Sequence, residues 1–150
     1  MVKNFLKLCR EIKMTRWGEK KCVIVDDNTT NREVAIEMLE SLGIKVVHQS
    51  PSSYHALSEV FNKGIDLILL DWHMPAMDGL EFLDYVRGTA EGRKIVVIVY
   101  SAIEDGDSIN IVMRSGADGF ISKPITFEKL ESELIRTGIL SGSFKEAKVK

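Results

Sequence analysis

Ile65-Asp66-Leu67-Ile68-Leu69-Leu70-Asp71 is a short, almost continuously apolar run that ends in a carboxylate. Its length and its branched side chains favour a strand over a helix. Apolar residues that follow one another without alternation indicate that both faces of the strand are covered. The stretch therefore predicts a buried parallel strand with an aspartate at its carboxyl end.

Similar apolar runs recur along the chain, and segments with helical periodicity separate them. The other runs are 22–25, 44–47, 95–99 and 119–121. The helical segments lie near 30–42, 53–63, 79–87, 109–115 and 126–135. Because parallel strands need crossover connections, this alternation predicts an α/β domain with an open parallel sheet.

Two of these helices carry specific expectations about their ends and their buried faces. The segment 30–33 fits a capping box, which makes Thr30 the predicted N-cap of the first helix. The predicted buried stripe of that helix is Val34, Met38 and Leu42. In the second helix the expected buried residues are Leu57, Val60 and Phe61.

The composition is that of one globular domain. The chain has 150 residues, of which 45% are hydrophobic and 28% are charged. It has no apolar run of membrane-spanning length, and its net charge of -2 argues against binding nucleic acid by overall basicity. Two cysteines give no disulfide framework, so we expect a reducing compartment and a cytoplasmic location.

The two ends of the chain differ from its middle. We expect a basic N-terminal extension at 1–19, the folded domain at 20–138, and a flexible tail at 139–150. Apolar residues near one face of a possible N-terminal helix could dock on a partner, dimerise or touch an anionic membrane; these are Phe5, Leu8, Cys9 and Ile12. We favour a loosely ordered extension, with Trp17 packing back on the domain.

Polar side chains follow the predicted strands at the points where the strands end. They are Asp26, Asp27, Asp71, Ser101 and Lys123. In an open parallel sheet, ligands bind beyond the carboxyl ends of the strands. The sequence therefore predicts a functional site at this edge.

The chemistry of these residues suits phosphoryl transfer. The carboxylates of Asp26, Asp27 and Asp71 would repel one another unless a cation joined them, and their hard oxygens suit Mg²⁺, or Mn²⁺ in its place. Asp71 could attack an electrophilic phosphorus, while Ser101 and Lys123 contact the phosphoryl oxygens. The competing interpretation of the Asp26–Asp27 pair is a helix N-cap or a solvated turn.

With these motifs in register, the chain resembles the receiver domain of two-component response regulators. The match runs from about Lys20 to Gly138, and its motifs are Asp26-Asp27, Asp71-x-x-Met74-Pro75-x-Met77-Asp78-Gly79, Ser101-Ala102 and Lys123-Pro124. The resemblance implies a doubly wound (βα)5 flavodoxin-like fold with five parallel strands in the order 2-1-3-4-5. It also implies a signalling protein and not a turnover enzyme.

The resemblance also implies roles for individual residues. Asp71 would be the phosphoacceptor, and a sensor histidine kinase or a histidine phosphotransfer protein would be the donor. Asp26, Asp27 and Asp71 would bind the metal together with the backbone carbonyl of His73. A side-chain role for His73 is the weaker alternative. Ser101 and Lys123 would contact the phosphoryl group, and the Lys123–Pro124 peptide is a candidate for the cis form.

The same family implies a switch and an output surface. Ser101 would move toward the phosphoryl group, and Phe120 would turn inward behind it. Tyr100 is unusually bulky for its position, and we hypothesise that it holds Phe120 in one rotamer. Without an output domain, signalling would proceed through the face of helix four, strand five and helix five (105–114, Phe120 and 128–131), directly onto a protein and not onto nucleic acid. Homodimerisation on phosphorylation is an alternative to this output.

Three alternative interpretations remain. A dehalogenase-type phosphatase also uses an aspartate nucleophile, but it needs a second aspartate two residues later, where this chain has His73. A flavodoxin-like electron carrier would find its flavin phosphate repelled by Asp26 and Asp27. Finally, the chain could be a receiver excised from a larger hybrid kinase or regulator.

Overall fold

The computed structural model describes residues 3–4, 19–62, 64–73 and 78–140. The predicted N-terminal apolar face (Phe5, Leu8, Cys9 and Ile12) and Trp17 lie outside the described residues, as does the tail from 141 onward.

A parallel sheet of five strands forms the centre of the domain, and its strand order is β2-β1-β3-β4-β5. The strands are β1 (Lys20–Val25), β2 (Ile44–Ser50), β3 (Leu67–Asp71), β4 (Val96–Ser101) and β5 (Gly119–Ser122). The predicted fold class and strand order are therefore confirmed. Strand β3 contains the apolar run that ends in Asp71, and all of its residues are buried.

Helices connect the strands and cover both faces of the sheet. They are α1 (Thr29–Ser41), α2 (Ser53–Asn62), α3 (Gly79–Arg87), α4 (Gly106–Arg114) and α5 (Phe127–Arg136), with one 3-10 turn at Gly92–Lys94. Helices α2, α3 and α4 pack on one face, and α1 and α5 pack on the other. None of the helices in the described part of the chain has the length and apolar character needed to cross a bilayer.

Alternate residues of each central strand belong to opposite faces of the sheet. In β4, Val97 and Val99 contribute to the core under α2, α3 and α4, whereas Ile98 and Tyr100 contribute to the core under α1 and α5. Both cores are fully apolar along the strand centres, which explains why the strands read as continuous apolar runs. In β3 and β4, polar residues are thereby confined to the carboxyl ends of the strands.

The structure corrects the predicted N-cap and buried stripe of α1. The N-cap is Asn28 and not Thr30. The side chain of Asn28 accepts a hydrogen bond from the N–H of Asn31. The helix consequently starts earlier than expected, and its inward residues are Ala35 and Leu39. Val34, predicted to be buried, is exposed, while Leu42 is buried as expected.

The predicted interior of α2 is corrected in a similar way. Val60 is buried, but Phe61 is exposed and Ala56 takes the inward position. Ala56 and Phe61 lie on different faces of the helix, because five residues correspond to a rotation of about 140° beyond one full turn. The large aromatic side chain therefore lies outside the core.

The fold extends two residues past the boundary predicted at 138. Ile139 and Leu140 are buried with α1 and α5, and the N–H of Leu140 donates to the carbonyl of Leu134. These two apolar side chains thus extend the core between the sheet and helices α1 and α5. The chain reaches them through Gly138, which has a positive φ of 83°.

Gly92 gives a direct test of the packing between α3 and the 3-10 turn that precedes β4. A Cβ at this position would overlap the backbone carbonyl of Val86, which cannot move without distorting α3. We expect Gly92→Ala to lower the free energy of unfolding by about 2–3 kcal/mol in urea titrations.

Gly106→Ala is the matched control, because a Cβ there meets nothing within 4 Å. In the first turn of α4 this substitution should raise stability by up to about 1 kcal/mol. Equal stability of the two variants would contradict the packing described here.

Candidate functional site

The carboxyl ends of four strands bring the predicted polar residues to one edge of the sheet. Asp71 is the last residue of β3 and Ser101 is the last residue of β4, and both are buried. Asp26 directly follows β1, and Lys123 directly follows β5. These neighbouring strands are parallel, so their ends meet although the residues are far apart in sequence.

Three carboxylates form the acidic part of this edge. One oxygen from each of Asp26, Asp27 and Asp71 lies within 4.8 Å of the other two. Asp26 and Asp71 are buried, whereas Asp27 is exposed. Hard oxygen ligands at this spacing fit a small divalent cation such as Mg²⁺. The arrangement could therefore hold such an ion between two buried carboxylates and one that faces solvent.

The ammonium of Lys123 lies between the two buried carboxylates. Its Nζ is 3.4 Å from Oδ1 of Asp71 and 3.7 Å from Oδ2 of Asp26. The Lys123–Pro124 peptide is cis, as expected, and the N–H of Lys123 donates to the carbonyl of Ser101 at 2.8 Å. The backbone thus fixes the lysine beside the end of β4 while the side chain reaches across the acidic cluster.

Hydrogen bonds from three residues hold the side chain and the backbone carbonyl of Asp26. Its Oδ1 accepts from the N–H of Asn28 at 2.8 Å, and its Oδ2 accepts a short hydrogen bond from the Tyr100 hydroxyl. The Arg32 guanidinium donates to the backbone carbonyl of Asp26 at 2.6 Å. Because Asn28 caps α1, the alternative interpretation of the aspartate pair as an N-cap does not apply to Asp26 or Asp27.

The environment of Asp71 disfavours its charged form. Burial raises the pKa of Asp71, and the Lys123 ammonium opposes that rise while the Asp26 carboxylate adds to it. The N–H of His73 also points to Oδ1 of Asp71, at 3.4 Å. A carboxylate whose charge is poorly solvated, and which is nevertheless fixed in position, is typical of functional sites.

Tyr100 and Phe120 lie on opposite faces of the sheet, so the hypothesis that Tyr100 holds Phe120 in one rotamer is wrong. Tyr100 pairs in register with Ile121 and packs under α1 and α5, whereas Phe120 pairs with Val99 and packs on the other core. Burial and the hydrogen bond to Asp26 raise the pKa of Tyr100, so its hydroxyl stays protonated and can donate to the carboxylate. Its direct partner is the acidic cluster.

The remaining predicted residues border this cluster. Oγ of Ser101 accepts from the N–H of Ile103 at 3.3 Å, and the side chain of His73 is exposed. Arg32 and Asn28 were not predicted as site residues, although both follow the aspartate pair closely in sequence. A cationic side chain one turn into the helix after two carboxylates was the signal that could have indicated Arg32.

An open groove lies beside the cluster, on the face predicted for output. Its volume is about 590 Å³, and its lining includes Ile103, Ile109, Phe120, Lys129 and Glu133. Phe120 is only partly buried here, between the groove and the core.

Side chains of α5 cover the outer edge of β5. Lys129 donates to the carbonyl of Ser122 at 3.2 Å, and Glu133 accepts from the N–H of Phe120 at 3.2 Å. Arg136 donates to the carbonyl of Asp118 at 2.5 Å. The helix thereby satisfies main-chain groups that face away from β4.

The fold and this edge together define a doubly wound α/β domain with an acidic strand-end site, and comparisons with known proteins agree. A model of the response regulator receiver domain matches residues 22–135. Chemotaxis protein CheY-3 of Vibrio cholerae is 29% identical over 114 residues, which cover 76% of this chain and 88% of that protein.

Two solved structures are also similar to the chain. The receiver domain of a sensor histidine kinase from Pseudomonas aeruginosa, solved with a magnesium ion coordinated in the active-site cleft, is 28% identical with a TM-score of 0.72, covering 81% of this chain and 99% of that one. Chemotaxis protein CheY4 of Vibrio cholerae is 25% identical with a TM-score of 0.74. The match covers 80% of this chain and 99% of that one.

Because the family match spans well over half of the sequence, the chain belongs to the response regulator receiver domain family. Receiver domains are phosphoryl-accepting signalling modules rather than turnover enzymes. The acidic cluster of Asp26, Asp27 and Asp71 is compatible with the metal site of such a domain.

The raised pKa of Asp71 predicts how stability depends on pH. The pKa of Asp71 in the folded protein lies above the ordinary value of 3.8. Above the folded-state pKa the side chain is charged, and this charge lowers the stability of the fold. As the pH falls to 3.8 the side chain becomes neutral and the destabilisation disappears. In chelator-treated buffer we expect Asp71→Asn to unfold at a higher temperature than the wild type at neutral pH. The difference between the two melting temperatures should narrow as the pH falls toward 3.8, the ordinary pKa of an aspartate.

Asp84→Asn on the exposed surface of α3 is the control, and its melting temperature should follow the wild type at each pH. A variant Asp71→Asn that melts below the wild type at neutral pH would contradict the unfavourable burial of this charge.

Proposed function

We propose that the chain is a receiver that accepts a phosphoryl group on Asp71 from a phosphohistidine of a sensor kinase or a phosphotransfer protein. The observation that carries this proposal is the position of Asp71: it is buried, it ends the central strand β3, and it lies 3.4 Å from the Lys123 ammonium. The reaction would form a bond from a carboxylate oxygen to phosphorus and break the P–N bond of the donor, whose imidazole takes up a proton.

The chain's own residues would prepare this transfer. Burial leaves the Asp71 carboxylate poorly solvated, and the Lys123 ammonium compensates its charge before the reaction. Once Asp71 carries the phosphoryl group as an acyl phosphate, the carboxylate charge is lost, and the ammonium becomes available for the phosphoryl oxygens. Ser101 already accepts a hydrogen bond from Ile103, so its own hydroxyl proton can be donated to the same group.

A divalent cation completes this site in our proposal. Asp26, Asp27 and Asp71 would hold Mg²⁺ or Mn²⁺ together with the backbone carbonyl of His73. When bound, the cation neutralises charge on the oxygens of the transferring group. The exposed Asp27 gives it a route of entry from solvent, while the buried carboxylates fix the inner side.

We further propose that the output is protein contact through the face formed by α4, β5 and α5. The groove on this face borders both Lys123 and Phe120, so a rearrangement around the phosphoryl group can reach the surface directly. The proposed setting is the cytoplasm, with no direct contact to nucleic acid. The same role is open to a single-domain regulator and to a receiver within a larger protein.

The cation site predicts a stabilisation that depends on Asp27. At a Mg²⁺ concentration 100-fold above its Kd, the wild type should gain about 2.7 kcal/mol in free energy of unfolding by mass action. Asp27→Asn should keep the metal-free stability, because the side chain is exposed, and lose most of that gain. Urea titrations with and without MgCl2 measure both values.

Asp84→Asn provides the control for loss of one exposed carboxylate and should retain the full gain. If Mg²⁺ stabilised Asp27→Asn as strongly as the wild type, the proposed ligand set would be wrong.

Phosphorylation itself tests the proposed function. With acetyl phosphate and Mg²⁺, the wild type should gain one phosphoryl group, which peptide mass spectrometry would locate on Asp71. Asp71→Asn should gain none and Asp84→Asn should label normally. Lys123→Gln should label more slowly, on the order of 100-fold, because a preorganised charge is lost. A label on another residue, or full labelling of Asp71→Asn, would refute the assignment.

A further inference from the structure

Tyr100 contacts two charged members of the site at once. Its hydroxyl donates to Oδ2 of Asp26, and its ring centroid lies 4.8 Å from Nζ of Lys123. The side chain is only 1% exposed, so its position is fixed by packing under α1 and α5. A ring face at this distance from an ammonium supports it by a cation–π interaction.

The two carboxylates compete for the same ammonium. Nζ of Lys123 lies 3.4 Å from Asp71 and 3.7 Å from Asp26, beyond the 2.7–2.9 Å typical of a charge-assisted hydrogen bond in both cases. Side-chain movement could therefore take it fully to either carboxylate. Which carboxylate attracts it more strongly depends on how well each is satisfied by other donors.

The Tyr100 hydroxyl satisfies the oxygen of Asp26 that faces Lys123. Asn28 already holds Oδ1, and the phenol holds Oδ2, the same atom that lies 3.7 Å from the ammonium. Without the hydroxyl, Oδ2 would be a buried carboxylate oxygen with the lysine as its nearest described donor. Leaving such an oxygen unsatisfied is costly, so the lysine would move toward it.

We propose that Tyr100 is a positioning residue that keeps Lys123 on the Asp71 side of the acidic cluster. Its hydroxyl satisfies Asp26, and its ring supports the ammonium. This inference rests on the proposed function, because the placement of Lys123 matters to a receiver whose Asp71 accepts the phosphoryl group. The position of Lys123 also affects cation binding. An ammonium that moved to Asp26 would compete with the divalent cation for this carboxylate.

Tyr100→Phe tests the hydroxyl and leaves the ring in place. We expect its affinity for Mn²⁺ to fall on the order of tenfold, because Asp26 loses an orienting partner and gains a competing ammonium. The experiment uses the full chain without a phosphodonor, and the signal of free Mn²⁺ in electron paramagnetic resonance reports binding. Affinity that is unchanged or higher in Tyr100→Phe would overturn the proposal.

Tyr85→Phe is the matched control, since Tyr85 is 57% exposed on α3 and its hydroxyl has no described contact with the acidic cluster. It should bind Mn²⁺ like the wild type. Thermal unfolding without metal shows whether Tyr100→Phe is folded. If its melting temperature is too low for the assay, binding is measured at a lower temperature at which it is folded, and the same loss of affinity is expected there.

A double-mutant cycle separates positioning from general packing. With Lys123→Gln as the background there is no ammonium to move, so the effect of Tyr100→Phe on Mn²⁺ affinity should shrink by at least about threefold. A merely structural role of the hydroxyl would give the same loss in both backgrounds, and that result would overturn the proposal.

The proposed function and this inference can fail separately. If Asp71 is labelled by acetyl phosphate but the cycle is additive, only the role of Tyr100 is wrong. If the cycle is coupled but no label reaches Asp71, the phosphoacceptor assignment is wrong while the placement of Lys123 by Tyr100 stands.

Discussion

The ion pairing of one lysine with two buried carboxylates is the constraint on which the site depends. Asp26 and Asp71 would repel each other at the strand ends, and burial makes each charge harder to accommodate. Lys123 offsets both costs, yet it reaches them only because β5 lies next to β4 in the sheet. Strand order and the electrostatics of the site are therefore parts of one arrangement.

Much of this arrangement could be predicted because it follows from local rules. Continuous apolar runs indicate strands covered on both faces, and polar residues at their ends must then meet at one edge. Asp71 and Lys123 were identified on that basis, and the structure places them together. The helix α3 was likewise predicted correctly from Gly79 to Arg87, because its apolar positions fit a single periodic stripe.

Other features depended on geometry that the sequence pattern does not contain. The face on which Tyr100 lies follows from strand alternation, but its contact with Asp26 depends on the strand order, in which only β3 separates β4 from β1. Asn28 and Thr30 are both good N-caps, and Asn28 takes the role in a turn where Asp26 also holds its N–H. Val34 is exposed because α1 turns Ala35 and Leu39 toward the sheet, each one residue after the predicted Val34 and Met38.

The polar contacts between α5 and β5 have a consequence for how this protein meets other chains. An outermost strand with open amide and carbonyl groups can template another strand, which leads to fibrils and swapped assemblies. Here Lys129, Glu133 and Arg136 occupy such groups from Asp118 to Ser122. These side chains obstruct the pairing of another strand at the carbonyls of Asp118 and Ser122 and at the N–H of Phe120. Recognition at this border is therefore expected to depend on side-chain shape and charge.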